Sequence, residues 1–217
     1  MKNKKIASLL VAGALTVGIV GGTLAWLTAS DSATNHFKTA NGTVNVQVWE
    51  KFDSNKALNL EPGATVDKNV QIKNAATNVD QFIRVKINEG DYDKIKPTYV
   101  NVLSLDDLKV TGDVKAEGKW LKDGDYYYYI GKVKANGFTN SIMSKVTFSS
   151  DANEKSDMEK VKDIVINAES VQASNDAYVE VFEGMSDATK DLLSLYQGQE
   201  AKSVEMVEGS TNQGTHK

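Results

Sequence analysis

The chain has 217 residues with a formal charge of −4, 41% hydrophobic and 25% charged residues, two prolines, two histidines and no cysteine. The missing thiols exclude disulfides and cysteine-based zinc or iron–sulfur sites. The acidic balance argues against a nucleic-acid partner, which needs clustered cations to displace counterions.

The first predicted element is a leader. Lys2, Lys4 and Lys5 precede an uncharged apolar run from Ile6 to Leu27 that is thinned by Gly13, Gly18, Gly21 and Gly22. A basic start, an apolar middle and a small-residue end is the layout of a secretory signal peptide. The run is also long enough to anchor in a bilayer, but its glycines and small-residue end favour the cleaved form. Thr23-Leu24-Ala25 is nearest to a small-x-small site, so cleavage is expected between Ala25 and Trp26, with Trp26 or Ala29 as alternative last residues. Three lysines and no acids leave with residues 1–25, so the remainder carries about −7. It is long enough for one full hydrophobic core.

Residues 26–43 form a small, polar segment before the folded part. In one alternation Leu27, Ala29, Ala33 and Phe37 share a face, with Asp31 interrupting it. From composition, such a segment reads as a flexible stub. A β-domain is expected over residues 44–202. Val44, Val46 and Val48 alternate with polar residues and predict a strand with one buried face. Pro62-Gly63 signals a turn. Val66 to Lys73 reads as the next strand, with Lys68 breaking its apolar pattern, and Gln81 to Ile87 as a third with Ile83, Val85 and Ile87 inward. Residues 89–119 have weak periodicity and read as an inserted surface region. Trp120 to Ile130 predicts a hairpin turning at Asp123-Gly124. Its run Tyr126–Tyr129 must divide between two faces. Strands are expected near Ser144–Ser149 and over Ile164–Ala173. Ser186 is positioned to cap a helix from Asp187 with Ala188, Leu192, Leu195 and Tyr196 on one face and Gly198 as its stop. A shorter helical turn is expected within residues 175–185. Residues 203–217 read as a disordered polar tail. The expected fold class is mainly β, an antiparallel jelly-roll-like sandwich with short C-terminal helical elements.

Chemistry is thinly signalled. His36 and His216 are the only histidines, and neither belongs to a His-Glu-x-x-His helix. Asp91 with Asp93, and Asp123 with Asp125, are acid pairs without the full spacing of a calcium loop. No catalytic, cofactor-binding or metal-ligating residue is therefore assigned.

Several short stretches resemble the TasA/camelysin family of exported biofilm-matrix proteins. They are Gly21 through Thr28, Ala33 through Phe37 with Gly42, Leu60 through Val66 with Ile72-Lys73-Asn74, Phe82 through Val85, and Ala168 through Ala173. Trp120 to Tyr129, and on to Phe148, is similar to the clostridial-type branch. From Asp176 onward there is no resemblance. The likeness implies a secreted jelly-roll subunit, processed by a dedicated signal peptidase of the SipW type. It also implies head-to-tail polymerisation with further copies of itself: the freed N-terminal segment, carrying Leu27, Ala29, Ala33 and Phe37, fills a gap in the next subunit's sheet. Other matrix proteins are further expected partners. The camelysin branch carries a metalloprotease label, which the two isolated histidines do not support.

Overall fold

The computed structural model describes residues 37–39, 42–52, 62–88, 95–110, 115–150 and 164–212. Within these described residues twelve strands and three helices follow in order: β1 (Phe37–Thr39), β2 (Gly42–Val44), β3 (Val46–Phe52), β4 (Thr65–Asn74), β5 (Gln81–Asn88), β6 (Ile95–Tyr99), β7 (Val102–Ser104), α1 (Leu105–Val110), β8 (Trp120–Asp123), β9 (Tyr126–Tyr129), β10 (Met143–Phe148), β11 (Val165–Gln172), α2 (Ala177–Val181), α3 (Asp187–Gln197) and β12 (Thr211–Asn212). They form a short β1–β2 pair and two five-stranded sheets ordered β12-β3-β4-β10-β6 and β11-β5-β9-β8-β7. Between these strands every pairing is antiparallel except β7 with β8. The expected sandwich with short C-terminal helices is thus present.

Strand alternation explains three layers rather than two. On β5, Ile83 and Val85 enter the core between the sheets, where Val46, Val48, Val70, Ile72, Met143 and Ile166 meet them. The intervening Phe82 joins a second core with Leu121, Tyr128 and Val171 beneath Tyr178, Phe182, Met185 and Leu193 of the helical region. The tyrosine run splits the same way. Tyr127 and Tyr129 point between the sheets, and Tyr129 meets Trp120 edge-on at 5.1 Å between centroids. Tyr128 faces the helices, fully buried against Phe182. Its outward side is therefore covered.

Lys68, the break in the β4 pattern, points inward. It is 1% exposed and donates to the equally buried Glu50 of β3 at 2.8 Å. Its ammonium also lies 5.1 Å from the Phe52 ring centroid. Burial pushes the Glu50 carboxyl upward, against the opposing pull of Lys68.

Four expectations are corrected. The stretch 89–119 is more than a surface insertion: it supplies β6 to one sheet and β7 to the other. Short strands of three and five residues carry too little alternation to be read from sequence. The hairpin turns at Gly124-Asp125, one residue later than expected, because Asp123 pairs with Tyr126 in the ladder. Gly124 supplies the positive φ of +57° at the first turn position. Helix α3 is capped by Ser186, whose hydroxyl accepts from Thr189 N, as its sequence predicts. Its buried side, however, carries Thr189 and Leu193 with Leu192 and Tyr196, while Ala188 and Leu195 face out.

The fourth correction concerns the tail. Residues 203–212 are ordered, as a strap across the outer face of the first sheet. The side chain of Gln71 donates to Glu205 O at 3.1 Å and accepts from Val207 N at 2.7 Å. Val204 N donates to Phe138 O at 3.1 Å, and Thr211-Asn212 pair with Glu50 and Trp49 as β12. The strap passes so close to Gly137 that a Cβ there would lie 2.8 Å from Ser203 Cβ. Hydrogen-bonding partners, absent from any composition argument, fix this polar segment.

Candidate functional site: the sheet edges

Two open sheets have four edges, and an unpaired edge is a template for another strand unless something blocks it. The β3 edge carries β12. The β6 edge is five residues long and contains Pro97, which has no N–H to offer. The β7 edge is three residues long and runs directly into α1. β11 differs. It is eight residues long, without proline, lysine or arginine. It pairs with β5 in unbroken register from Val165↔Asn88 to Gln172↔Gln81. Among the described residues no strand occupies its other side. The β1–β2 pair lies beside it without joining its ladder.

The two faces of β11 are firmly seated. Ile166 and Ala168 enter the inter-sheet core. On the other face Glu169 takes a 2.7 Å hydrogen bond from Arg84 Nε. The Arg84 guanidinium also donates to Glu183 O at 2.9 Å and stacks 3.9 Å over Tyr126. β11 is thereby a rigid edge, joined to the helical layer.

The residues expected to act in assembly or chemistry lie as follows. Ala25, Trp26, Leu27, Ala29 and Ala33 are outside the described residues, as are His36, His216, Asp91 and Asp93. Phe37 opens β1, opposite Val44. Asp123 and Asp125 do not form a joint cation site. Asp123 accepts from Thr189 Oγ1 at 2.6 Å and Ser186 N at 2.9 Å, tying the hairpin to the start of α3. Burial pushes its carboxyl upward, yet those hydrogen bonds outweigh it and hold the group below its ordinary value. Asp125 instead pairs with Lys86 at 2.7 Å on the surface. A polar cleft of about 830 Å³ lies between the β4–β5 loop and the end of α3. Its charged residues are in use: Lys132 donates to Gln197 O at 3.0 Å, and Asp80 accepts from Ala135 N at 3.2 Å.

The β11 edge escaped sequence reading. The available signal was the lack of proline, lysine or arginine across Val165–Gln172, which becomes informative only once the strand is known to be terminal in its sheet.

The fold defines a class, a β-sandwich covered on one side by helices, with one eight-residue sheet edge that no strand occupies among the described residues. Residues 1–96 match the family described as camelysin metallo-endopeptidase, so the TasA/camelysin likeness read from the sequence holds over that stretch. Comparison with curated proteins gives no match, and neither does comparison with solved structures. The family description implies a metal, and a catalytic zinc takes three protein ligands. Among the described residues no group of three or more His, Cys, Asp or Glu side chains comes together. Those residues do not fit a zinc centre.

Proposed function

We propose that this chain is an exported structural subunit of an extracellular, biofilm-matrix type of fibre. A SipW-type signal peptidase removes the leader, and the freed N-terminal segment of one copy adds as a strand to the sheet of the next. The observation that carries this reading is the eight-residue edge of β11, which no strand occupies among the described residues. Main-chain N–H and C=O groups along such an edge supply affinity, and alternate side chains supply selectivity. A head-to-tail contact of this kind is heterologous, so it propagates into an open filament. The camelysin match over residues 1–96 supports the exported, camelysin-type part of this reading. Self-association makes further copies the principal partner, with other matrix proteins secondary.

Negative-stain microscopy of the chain from Trp26 onward tests the proposal. Filaments are expected. Deleting residues 26–37 should abolish them while circular dichroism stays that of a folded β-protein; a truncated chain that still polymerises would contradict the strand-exchange step. The reading is also non-enzymatic. Casein cleavage by the pure protein that stops on chelation would overturn that part.

A further inference from the structure

The polar cleft at the end of β11 carries hydrogen-bonding groups that the fold does not use. Its volume is about 830 Å³, and it is lined from three directions: by Asn78 of the β4–β5 loop, by Gln172 and Asn175 where β11 runs out toward α2, and by Gln197 at the end of α3. Among the described residues no hydrogen bond engages any of these four carboxamides. Other amides of the chain are spent within it. Gln71 and Asn74 each donate twice and accept once, and Asn140 donates to Gly118 O at 2.7 Å. The cleft walls are nevertheless fixed to one another. Ala173 N donates to Asp80 O at 2.9 Å, Asp80 Oδ1 accepts from Ala135 N at 3.2 Å, and Lys132 Nζ donates to Gln197 O at 3.0 Å. Asn175 and Asp176 stand consecutively at φ +57° and +53°, a conformation that costs most side chains energy and that Asn and Asp tolerate best.

This lining selects by chemistry. A carboxamide both donates and accepts, and so does a sugar hydroxyl, so one amide meets two neighbouring hydroxyls. Asp80 and Lys132 cancel in charge and are already engaged, which leaves no unpaired charge for an ionic ligand to meet. Val79 and Ala173 supply the apolar side chains of the lining, and no aromatic ring joins them among the described residues. The side chains of a peptide therefore find little to pack against. Ligand clefts commonly measure about 300–1,000 Å³, so the space suits a short stretch of sugar chain. We propose that this cleft binds a neutral oligosaccharide through the amides of Asn78, Gln172, Asn175 and Gln197. Without a ring to stack on, binding rests on hydrogen bonds made in exchange for water, and each contributes modestly. The site stands apart from strand exchange: it needs neither a second copy nor any residue ahead of β1.

Equilibrium dialysis of the chain from Trp26 onward tests the site, because it reads binding whether or not the protein assembles. The neutral probes are cellotetraose, maltotetraose and tetra-N-acetylchitotetraose. The comparison probes are an anionic tetragalacturonate, a cationic glucosamine tetramer and a neutral tetrapeptide of glycine and serine. At least one neutral sugar should bind with a Kd of about 1 mM or tighter, and each comparison probe should bind at least about fivefold more weakly than that sugar. Asn78→Ala and Gln197→Ala should each weaken its binding about fivefold, the size of one neutral hydrogen bond. Their Tm should stay that of wild type, because neither amide is bonded within the free fold. Gln197→Glu, equal in size but without the amide donors, should weaken binding as well. Failure of all three neutral sugars to bind at about 10 mM overturns the proposal. So does binding indifferent to Asn78 and Gln197, or a charged or peptide probe held as tightly as any neutral sugar. Filament formation bears on none of these results, so this site and strand exchange fail separately.

Discussion

Asp123 joins two pieces of the molecule through one carboxylate. It ends β8, and it accepts from the Ser186 amide and the Thr189 hydroxyl at the start of α3. Its folded pKa lies below the ordinary 3.8, so its contribution is complete above that value and is lost as pH falls through the lowered one. Asp123→Asn should lose about 1–3 kcal/mol at pH 7, and denaturant titrations should show the gap to wild type closing below pH 3.8. Glu50 has the opposite sign. Its raised value favours the folded state in acid, an advantage that fades as pH climbs through it. The Lys68–Glu50 pair tests a separate point. Lys68→Met alone strands a buried carboxylate and should cost about 3–5 kcal/mol, whereas Lys68→Met with Glu50→Leu should recover most of it. Urea midpoints of the variants would decide. The inward direction of Lys68 could have been inferred from its place among Val66, Val70 and Ile72, but only its partner on a neighbouring strand makes such burial tolerable.

Among the elements, those with a complete local signal were legible in the sequence. β4, β5 and β11 carry long alternations, and α3 carries a Ser cap three residues ahead of the amide it satisfies. Elements whose order comes from distant partners were hidden. β6 and β7 are too short to declare themselves, and the strap over residues 203–212 depends on Gln71 and Phe138. The buried side of α3 was misread because helical spacing alone does not say which part of an apolar stripe meets the sheet. Thr189 is buried there because Asp123 engages its hydroxyl. At Gly137 the strap leaves no room for a side chain. Gly137→Ala should therefore dislodge Ser203 and Val204 while leaving the sandwich folded, and faster amide exchange across residues 203–212, with β4 unchanged, would show it. Unchanged exchange would mean that the strap is held chiefly by Gln71.

At the scale of the whole molecule, the sandwich treats its borders unequally. Proline, brevity and a capping strand guard β6, β7 and β3, while β11 is long, regular and fixed to the helical layer through Arg84 and Glu169. Arg84→Met should loosen that backing, leaving Glu169 without its cation and the helices with fewer ties. A lower Tm is expected, together with weaker assembly. The β-domain and the family likeness were legible in the sequence, but sheet order decides which strand is terminal, and order is a property of the assembled fold. Hydrogen exchange measured on filaments and on the soluble form lacking residues 26–37 tests the account most directly. Slowed exchange in filaments confined mainly to the amides of Val165–Gln172, with β6 and β7 unaltered, is the predicted result. Equal exchange of β11 in the two forms, or new protection along β6 instead, would contradict it.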